Sequence, residues 1–466
     1  MFRFFFLLLV AAAIVTGFGC KSAPDTDSGW KPAKPETYSR LRFAEKLAAL
    51  VHGGDFEAAL ALFDEIPPEE LTALPIRKLR LSVLVSAGDI PAAAVLADEL
   101  EKEYPEDADI LYTQSVICLA RNESAKRTQY LNKVLQVSPN HALAMTGLGL
   151  DFYSRKNYAQ ARNWLIRAIA AEPSNSEAML ALGRVYYMQD DLGNALDTFS
   201  LGLSRNPENS ILWAERARVR AESRDNAGAL EDIRKATELD SDIYTHWLDY
   251  GQYLMKAGRP AEAAEAYSKA INIDPEFYLA YVYRAGLNDE LGNLAQAEKD
   301  YAAITRLFPQ YFYAFEGYGI LLWLRGEWEG SRRAFEQALV YSPKTVSYAL
   351  MATAAMYRSG AAEQAKSFMS RYMNTLDRNS TDYFLCRLYV DRSAEMDVLN
   401  RIMRETNTAK KNRMLYYMAL YQELFGSPAI AQKYYADIIG TRVPAFFEYR
   451  LAENALKQLE TAAVTR

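Results

Sequence analysis

Seven prolines, Pro105, Pro139, Pro173, Pro207, Pro275, Pro309 and Pro343, stand on one lattice of 34 residues, and Ser241 fills its only other point. A spacing that constant leaves no room for insertions, so the chain is built from units of one length laid end to end. Proline cannot continue a helix and biases the residue before it away from αR, so each lattice point closes a helical segment. With repeats starting at 40, 74, 108, 142, 176, 210, 244, 278, 312 and 346, position 20 reads Ala59, Ala93, Arg127, Ala161, Ala195, Ala229, Ala263, Ala297, Ser331 and Ala365. Position 8 is mostly small as well, with Ser115, Gly149, Gly183, Ala217, Gly251, Ala285, Gly319 and Thr353. Small side chains at two such positions let two antiparallel helices approach closely while larger apolar ones fill the remaining space. Gly53-Gly54-Asp55, Ala87-Gly88-Asp89, Leu291-Gly292-Asn293 and Arg325-Gly326-Glu327 supply the permissive backbone of a short turn between them.

At 466 residues the chain exceeds one hydrophobic core, and roughly 150 residues per domain would give about three domains. A repeat array escapes that limit, because each repeat packs only on its neighbours. The composition is 50% apolar, 24% charged and 12% aromatic, which excludes wholesale disorder, collagen and a disulfide scaffold. The net charge of −6, without a long run of either sign, gives no nucleic-acid footprint.

At these positions the sequence resembles the tetratricopeptide repeat. The repeat from Ala142 shows Met145, Leu148, Gly149, Phe152, Ala161, Leu165, Ala168 and Pro173, and that from Tyr244 shows Trp247, Tyr250, Gly251, Leu254, Ala263, Tyr267, Ala270 and Pro275. The resemblance implies an all-α fold, a right-handed superhelical α-solenoid of stacked helix hairpins in one continuous array. Ten 34-residue repeats are expected over residues 40–379. Arg127 in the alanine position and Asn122 in the turn predict a looser hairpin in the third repeat. The phase slips beyond residue 379, giving two irregular hairpins over 380–443, and Pro444 opens a last helix within 444–466. Its Glu448, Arg450, Glu453, Lys457 and Gln458 are expected to cover the open end of the array as a cap.

Residues 1–19 combine Arg3 with an apolar run from Phe4 to Val15, too short for a stable membrane span, and end in Gly17-Phe18-Gly19 before Cys20. This resembles a bacterial lipoprotein signal peptide, with Gly17 where leucine is common. The resemblance implies cleavage after Gly19 and lipidation of Cys20, and two or three acyl chains at about 0.8 kcal/mol per buried CH₂ hold a protein lastingly at a membrane. Residues 20–39 are proline-containing and polar, a tether between lipid and folded body. Lys21 is not the aspartate that retains such lipoproteins at the inner membrane, so the resemblance implies the outer one.

Candidate chemistry is scarce. His52, His141 and His246 fall in different repeats, with no spacing for a shared metal, and no nucleophile elbow, phosphate loop or zinc-binding helix is present. Gly53-Gly54-Asp55-Phe56 resembles the loop of cyclic-dinucleotide cyclases but lies in an interhelical turn. Cys118 and Cys386 occupy apolar helix faces far apart in the array and are expected to stay unbridged. No cofactor or metal is expected, and the chain is expected not to be an enzyme. In the repeat family the first helices line a concave groove, and position 12 here offers Tyr153, Tyr187, Met255, Trp323 and Tyr357, with Arg184 and Arg218 at position 9. Aromatic and arginine side chains dominate peptide-binding surfaces, and the two guanidiniums could hold a carboxylate. Neither the lysine–asparagine carboxylate clamp nor the asparagine ladder known in the family matches these positions. The expectation is a membrane-anchored scaffold that grips an extended peptide or protein segment in envelope assembly, secretion or transport. Its rival is an auxiliary subunit binding a small molecule or polysaccharide.

Overall fold

A computed structural model describes residues 40–464, with side chains to residue 461. Among the described residues there are 26 α-helices and no strand, arranged as consecutive hairpins of an all-α solenoid. From Leu74 onward the first helices start at 74, 108, 142, 176, 210, 244, 278, 312 and 346, and the second at 90, 124, 158, 192, 226, 260, 294, 328 and 362. The 34-residue period therefore survives as backbone geometry, for reasons visible at five positions.

Position 15, in the turn, has φ between 59° and 83° in all ten repeats, filled by Gly54, Gly88, Gly258, Gly292, Gly326 and Gly360 but also by Asn122, Lys156, Asp190 and Arg224. The following residue caps the second helix: Asp55, Asp89, Asn157 and Asp191 each accept a hydrogen bond from the backbone N–H three residues on. Positions 8 and 20 bring the two helices into contact. A Cβ on Gly183 would lie 2.3 Å from the Phe199 ring, and one on Gly251 2.4 Å from that of Tyr267, while the position-20 alanines are fully buried. Position 4 ties the hairpin to the preceding turn. Trp213 Nε1 donates to the Pro207 carbonyl and Trp247 Nε1 to that of Ser241, both at 2.8 Å, and the Tyr281 hydroxyl donates to that of Pro275 at 3.2 Å. Ser241 can replace proline because what the next helix uses is its carbonyl.

The described chain forms two compact halves, divided between Asp232 and Ile233, within the helix Asn226–Leu239. In the N-terminal half the first repeat departs from the expected regular hairpin. Its second helix, Phe56–Ala61, gives way to a 3₁₀ turn, Leu62–Glu65, and a short helix, Pro68–Leu71. Pro67-Pro68 removes the donors a continued helix needs. The third repeat is not loosened: Arg127 is buried, pairs with Asp151 at 2.9 Å, and uses space left open by Gly147, whose Cβ would lie 3.3 Å from its guanidinium. Arg216 grips the buried Asp232 through Nε and Nη2 at 2.7 and 2.8 Å.

The C-terminal half repeats that last device two repeats later. Arg284 grips the buried Asp300 at 2.9 and 2.7 Å, and its Nη1 donates to Ser268. Past residue 379 come Thr381–Asp391, Glu395–Met403, Thr408–Phe425 and Pro428–Gly440, whose tyrosines join one extended core among the described residues. The final helix, Phe447–Val464, packs on Pro428–Gly440 and also returns to Thr408–Phe425 and Phe312–Leu324. Two of its residues expected on the solvent side instead point inward. Glu448 is fully buried against Tyr417, and Arg450 makes a bidentate pair with Asp289 at 2.7 and 2.8 Å. Phe447 accompanies them, stacked on Phe335 and Tyr348 at 5.9 and 6.3 Å. Of these only Glu448 is fully buried; Phe447 and Arg450 stay half-buried.

Candidate functional site

In the N-terminal half, the first helices of successive repeats approach one another: Ala142–Ser154 touches Ser176–Met188, which touches Ser210–Glu222. Side chains at positions 2 and 9 of these helices share that inner face, because residues seven apart on a helix differ by only about 20° in direction, and position 12 lies about 60° from position 9.

Arg184 and Arg218 meet there on one carboxylate. Arg184 Nε and Nη2 donate to Glu215 Oε1 at 2.9 and 2.7 Å, and Arg218 Nη1 donates to Oε2 at 3.0 Å. Glu215 is only 6% exposed, whereas Arg184 is half-buried and Arg218 exposed. The expected role of the arginines as an open carboxylate clamp is thus corrected: an internal carboxylate already occupies part of their donor set, because position 6 of the next repeat carries glutamate where the two preceding repeats carry Gly147 and Ala181. Tyr187 lies alongside, its hydroxyl held above the ordinary phenol value first by burial and then by Glu222. Tyr153 packs beside Tyr158, with ring centroids 5.9 Å apart. Both tyrosines remain half-buried.

A further acid belongs to this face and escaped the sequence reading. Glu177, at position 2 of Ser176–Met188, is half-buried with its carboxyl pushed up to about 7 by burial, against the opposing pull of Arg127. The signal in the sequence was its place at position 2, which the aromatic row overshadowed.

The C-terminal half treats the same positions differently. Met255 is 36% exposed. Trp323 is 9% exposed and packs edge-on to Trp328 at 5.0 Å. The Tyr357 hydroxyl donates to the Tyr389 carbonyl at 2.6 Å while its ring meets Phe425 edge-on at 4.7 Å. Trp323 is therefore not an open groove residue, and Tyr357, though half-buried like Tyr153 and Tyr187, has its hydroxyl engaged by a later helix of the same chain. Asp289, at the same position, is taken by Arg450. A cavity of about 270 Å³ remains between Trp323, Trp328, Arg358, Glu423, Tyr435 and Gln458. Within it the Arg358 guanidinium pairs with Glu423, whose other oxygen accepts from the Tyr435 hydroxyl at 2.9 Å.

Other chemistry is sparse. Among the described residues no group of His, Cys, Asp and Glu is placed to hold a metal. His141 caps a helix by accepting from the Ala144 N–H at 3.1 Å and lies tilted by 34° against the Tyr112 ring, and His246 is buried. Cys118 and Cys386 are buried and unbridged, and burial raises both thiols. No described helix is long and apolar enough to cross a membrane. Cys20 lies outside the described residues.

Three stretches, residues 146–210, 215–276 and 288–345, match the tetratricopeptide repeat family model, so the chain carries repeats of this type there. No curated protein matches the chain. Among solved structures it is similar to PilF of Pseudomonas aeruginosa, at 18% identity and a TM-score of 0.39 over 44% of this chain and 94% of that one. It is also similar to YrrB, described as a tetratricopeptide repeat protein with an unusual peptide-binding site, at 21% identity and a TM-score of 0.33 over 40% and 95%. A repeat protein of Parabacteroides merdae is 18% identical, with a TM-score of 0.36 over 53% and 98%.

Proposed function

We propose that the protein is a non-enzymatic interaction scaffold, and that the inner face of its N-terminal half binds an extended peptide or protein segment. The observation that carries this reading is the contrast between the halves. Tyr153, Tyr187, Arg184 and Arg218 keep part of their surface exposed on one face, while Trp323 is buried and the polar groups of the half-buried Tyr357 and Asp289 are taken by later residues of the chain. Half-exposed aromatics and arginines lose little rotamer freedom for the area they bury, which suits them to a peptide partner. Lipid on Cys20 would hold the scaffold at the outer membrane, in envelope assembly, secretion or transport, with no nucleic acid involved.

The test is binding of the full chain to an immobilised peptide array. Arg184→Ala with Tyr187→Ala should abolish most of the signal, and unchanged binding would refute the groove. Cys20→Ala should move the protein from the membrane to the soluble fraction, and an unaltered distribution would refute the anchor. A second reading rests on the cavity beside Trp323 and Trp328, since indole walls with polar side chains also suit a sugar or another small polar ligand. Quenching of tryptophan fluorescence by glycans, without peptide binding, would favour it.

A further inference from the structure

The last helix, Phe447–Val464, lies on the inner face of its own half. Arg450 holds Asp289, at position 12 of Tyr278–Glu290, through two hydrogen bonds at 2.7 and 2.8 Å. Leu451, Asn454, Ala455 and Gln458 line one cavity with Trp323, at the same position of Phe312–Leu324. Phe447 stacks on Tyr348, near the start of Val346–Arg358. One helix thus touches three successive first helices, with Leu451, Ala452 and Leu459 packed into the core and Glu453 and Lys457 in water. Its fit is incomplete. Glu448 Oε2 and Arg358 Nε are buried without a hydrogen-bond partner among the described residues, and the cavity of about 270 Å³ is lined by Arg358 together with Asn454 and Gln458 of the helix. Unpaired buried polar atoms and unfilled volume both weaken the helix's hold. The Arg450–Asp289 pair is only half-buried, so water can replace it, and residues 441–446 are all that joins the helix to Pro428–Gly440.

We propose that this face is a receptor for an amphipathic helix, and that Phe447–Val464 is its internal occupant, displaced when a partner helix of the same pattern binds. The pattern is an aromatic residue in the place of Phe447, a basic residue in the place of Arg450 to meet Asp289, and apolar residues at the spacing of Leu451, Ala455 and Leu459. A partner can improve on the internal helix at position 448, where glutamine donates to the Tyr417 hydroxyl without carrying a charge into the core. It gains again by filling the cavity beside Arg358. A tether as short as residues 441–446 keeps the internal helix at an effective concentration on the order of millimolar, so a partner enters only by binding more tightly than that helix does. This face belongs to the C-terminal half, so its occupancy is independent of the groove reading of the N-terminal half.

The experiment titrates the full chain with fluorescent peptides that carry the sequence of residues 444–464, with and without Arg450→Glu. Wild type should bind either peptide only weakly, its own helix being seated. Arg450→Glu in the chain sets two acids against each other and should vacate the face, raising affinity for the unaltered peptide at least about tenfold. Asp289→Arg in the chain should do the same for the peptide with Arg450→Glu, and each variant should reject the other's peptide. In the wild-type chain, hydrogen exchange of Phe447–Val464 should be at least about tenfold faster than that of Phe312–Leu324, because the helix leaves while the repeats stay folded. No gain in either matched pair, a gain that ignores the charge match, or exchange of the last helix no faster than that of Phe312–Leu324 overturns the proposal.

Discussion

Glu448→Gln turns the burial of the last helix into a measurable pH dependence. Glu448 is 0% exposed, Oε1 lies 2.8 Å from the Tyr417 hydroxyl oxygen, and Oε2 has no partner. Tyr417 has one hydroxyl proton and also lies 3.2 Å from the Ser347 carbonyl. With Glu448 protonated, its carboxyl donates to Tyr417 and Tyr417 donates to Ser347, so every proton has an acceptor. Burial accordingly pushes the carboxyl from 4.5 up to about 7. Since the folded value lies above the unfolded one, the stabilisation is complete below about pH 4.5 and is lost as the pH rises through 7. At 1.36 kcal/mol per unit the whole effect is roughly 3 kcal/mol, of which about 2.5 kcal/mol falls between pH 5 and pH 8. Glutamine reproduces the protonated form, donating to Tyr417 through its amide, but cannot ionise. Hydrogen exchange of Phe447–Val464 in variant and wild type, compared at equal pH, measures the difference directly and cancels the similar contribution of Glu177. Protection should be nearly equal at pH 5 and on the order of 50-fold greater in the variant at pH 8. A ratio that does not change with pH would refute the inward, protonated placement of Glu448.

Asp300→Ala leaves the Arg284 guanidinium buried without its carboxylate and should cost about 3–5 kcal/mol, while Arg284→Met with Asp300→Leu should recover most of it; urea midpoints check both. Two helical glycines should respond in opposite directions. A Cβ added at Gly286 would meet nothing within 4 Å, so Gly286→Ala should stabilise by about 1 kcal/mol. Gly183→Ala drives its Cβ into the buried Phe199 ring and should lower the thermal midpoint despite the same gain in helix propensity, with Phe199→Leu restoring it.

The period was legible because every repeat solves one packing problem with the same residues, a small side chain at positions 8 and 20, a turn at 15 and a helix end at 32. Exceptions were legible as exceptions but not in their consequences. Arg127 looked like a defect, yet Gly147 and Asp151 in the next helix accommodate it, and those partners lie 20 and 24 residues on, where no single-repeat pattern links them. The groove was half legible. Position 12 marks which side chains lie on the inner face, but not whether later residues of the chain engage them, as Trp328 engages Trp323 and as Tyr389 and Phe425 engage Tyr357. Arg450 reaches back 161 residues to Asp289, a contact with no local signature. The Arg184–Glu215–Arg218 cluster was visible as two arginines and missed as a triad, since the acid that joins them sits in a different position of the repeat.

The central claim, that the inner face of the N-terminal half holds a protein segment, is tested most directly by photocrosslinking in cells that make the protein. A benzophenone side chain at position 187 should capture a discrete protein, and the same group at Ile166, 46% exposed on the second helix Tyr158–Ala171, should not. Equal capture from both positions, or none from 187, would contradict it.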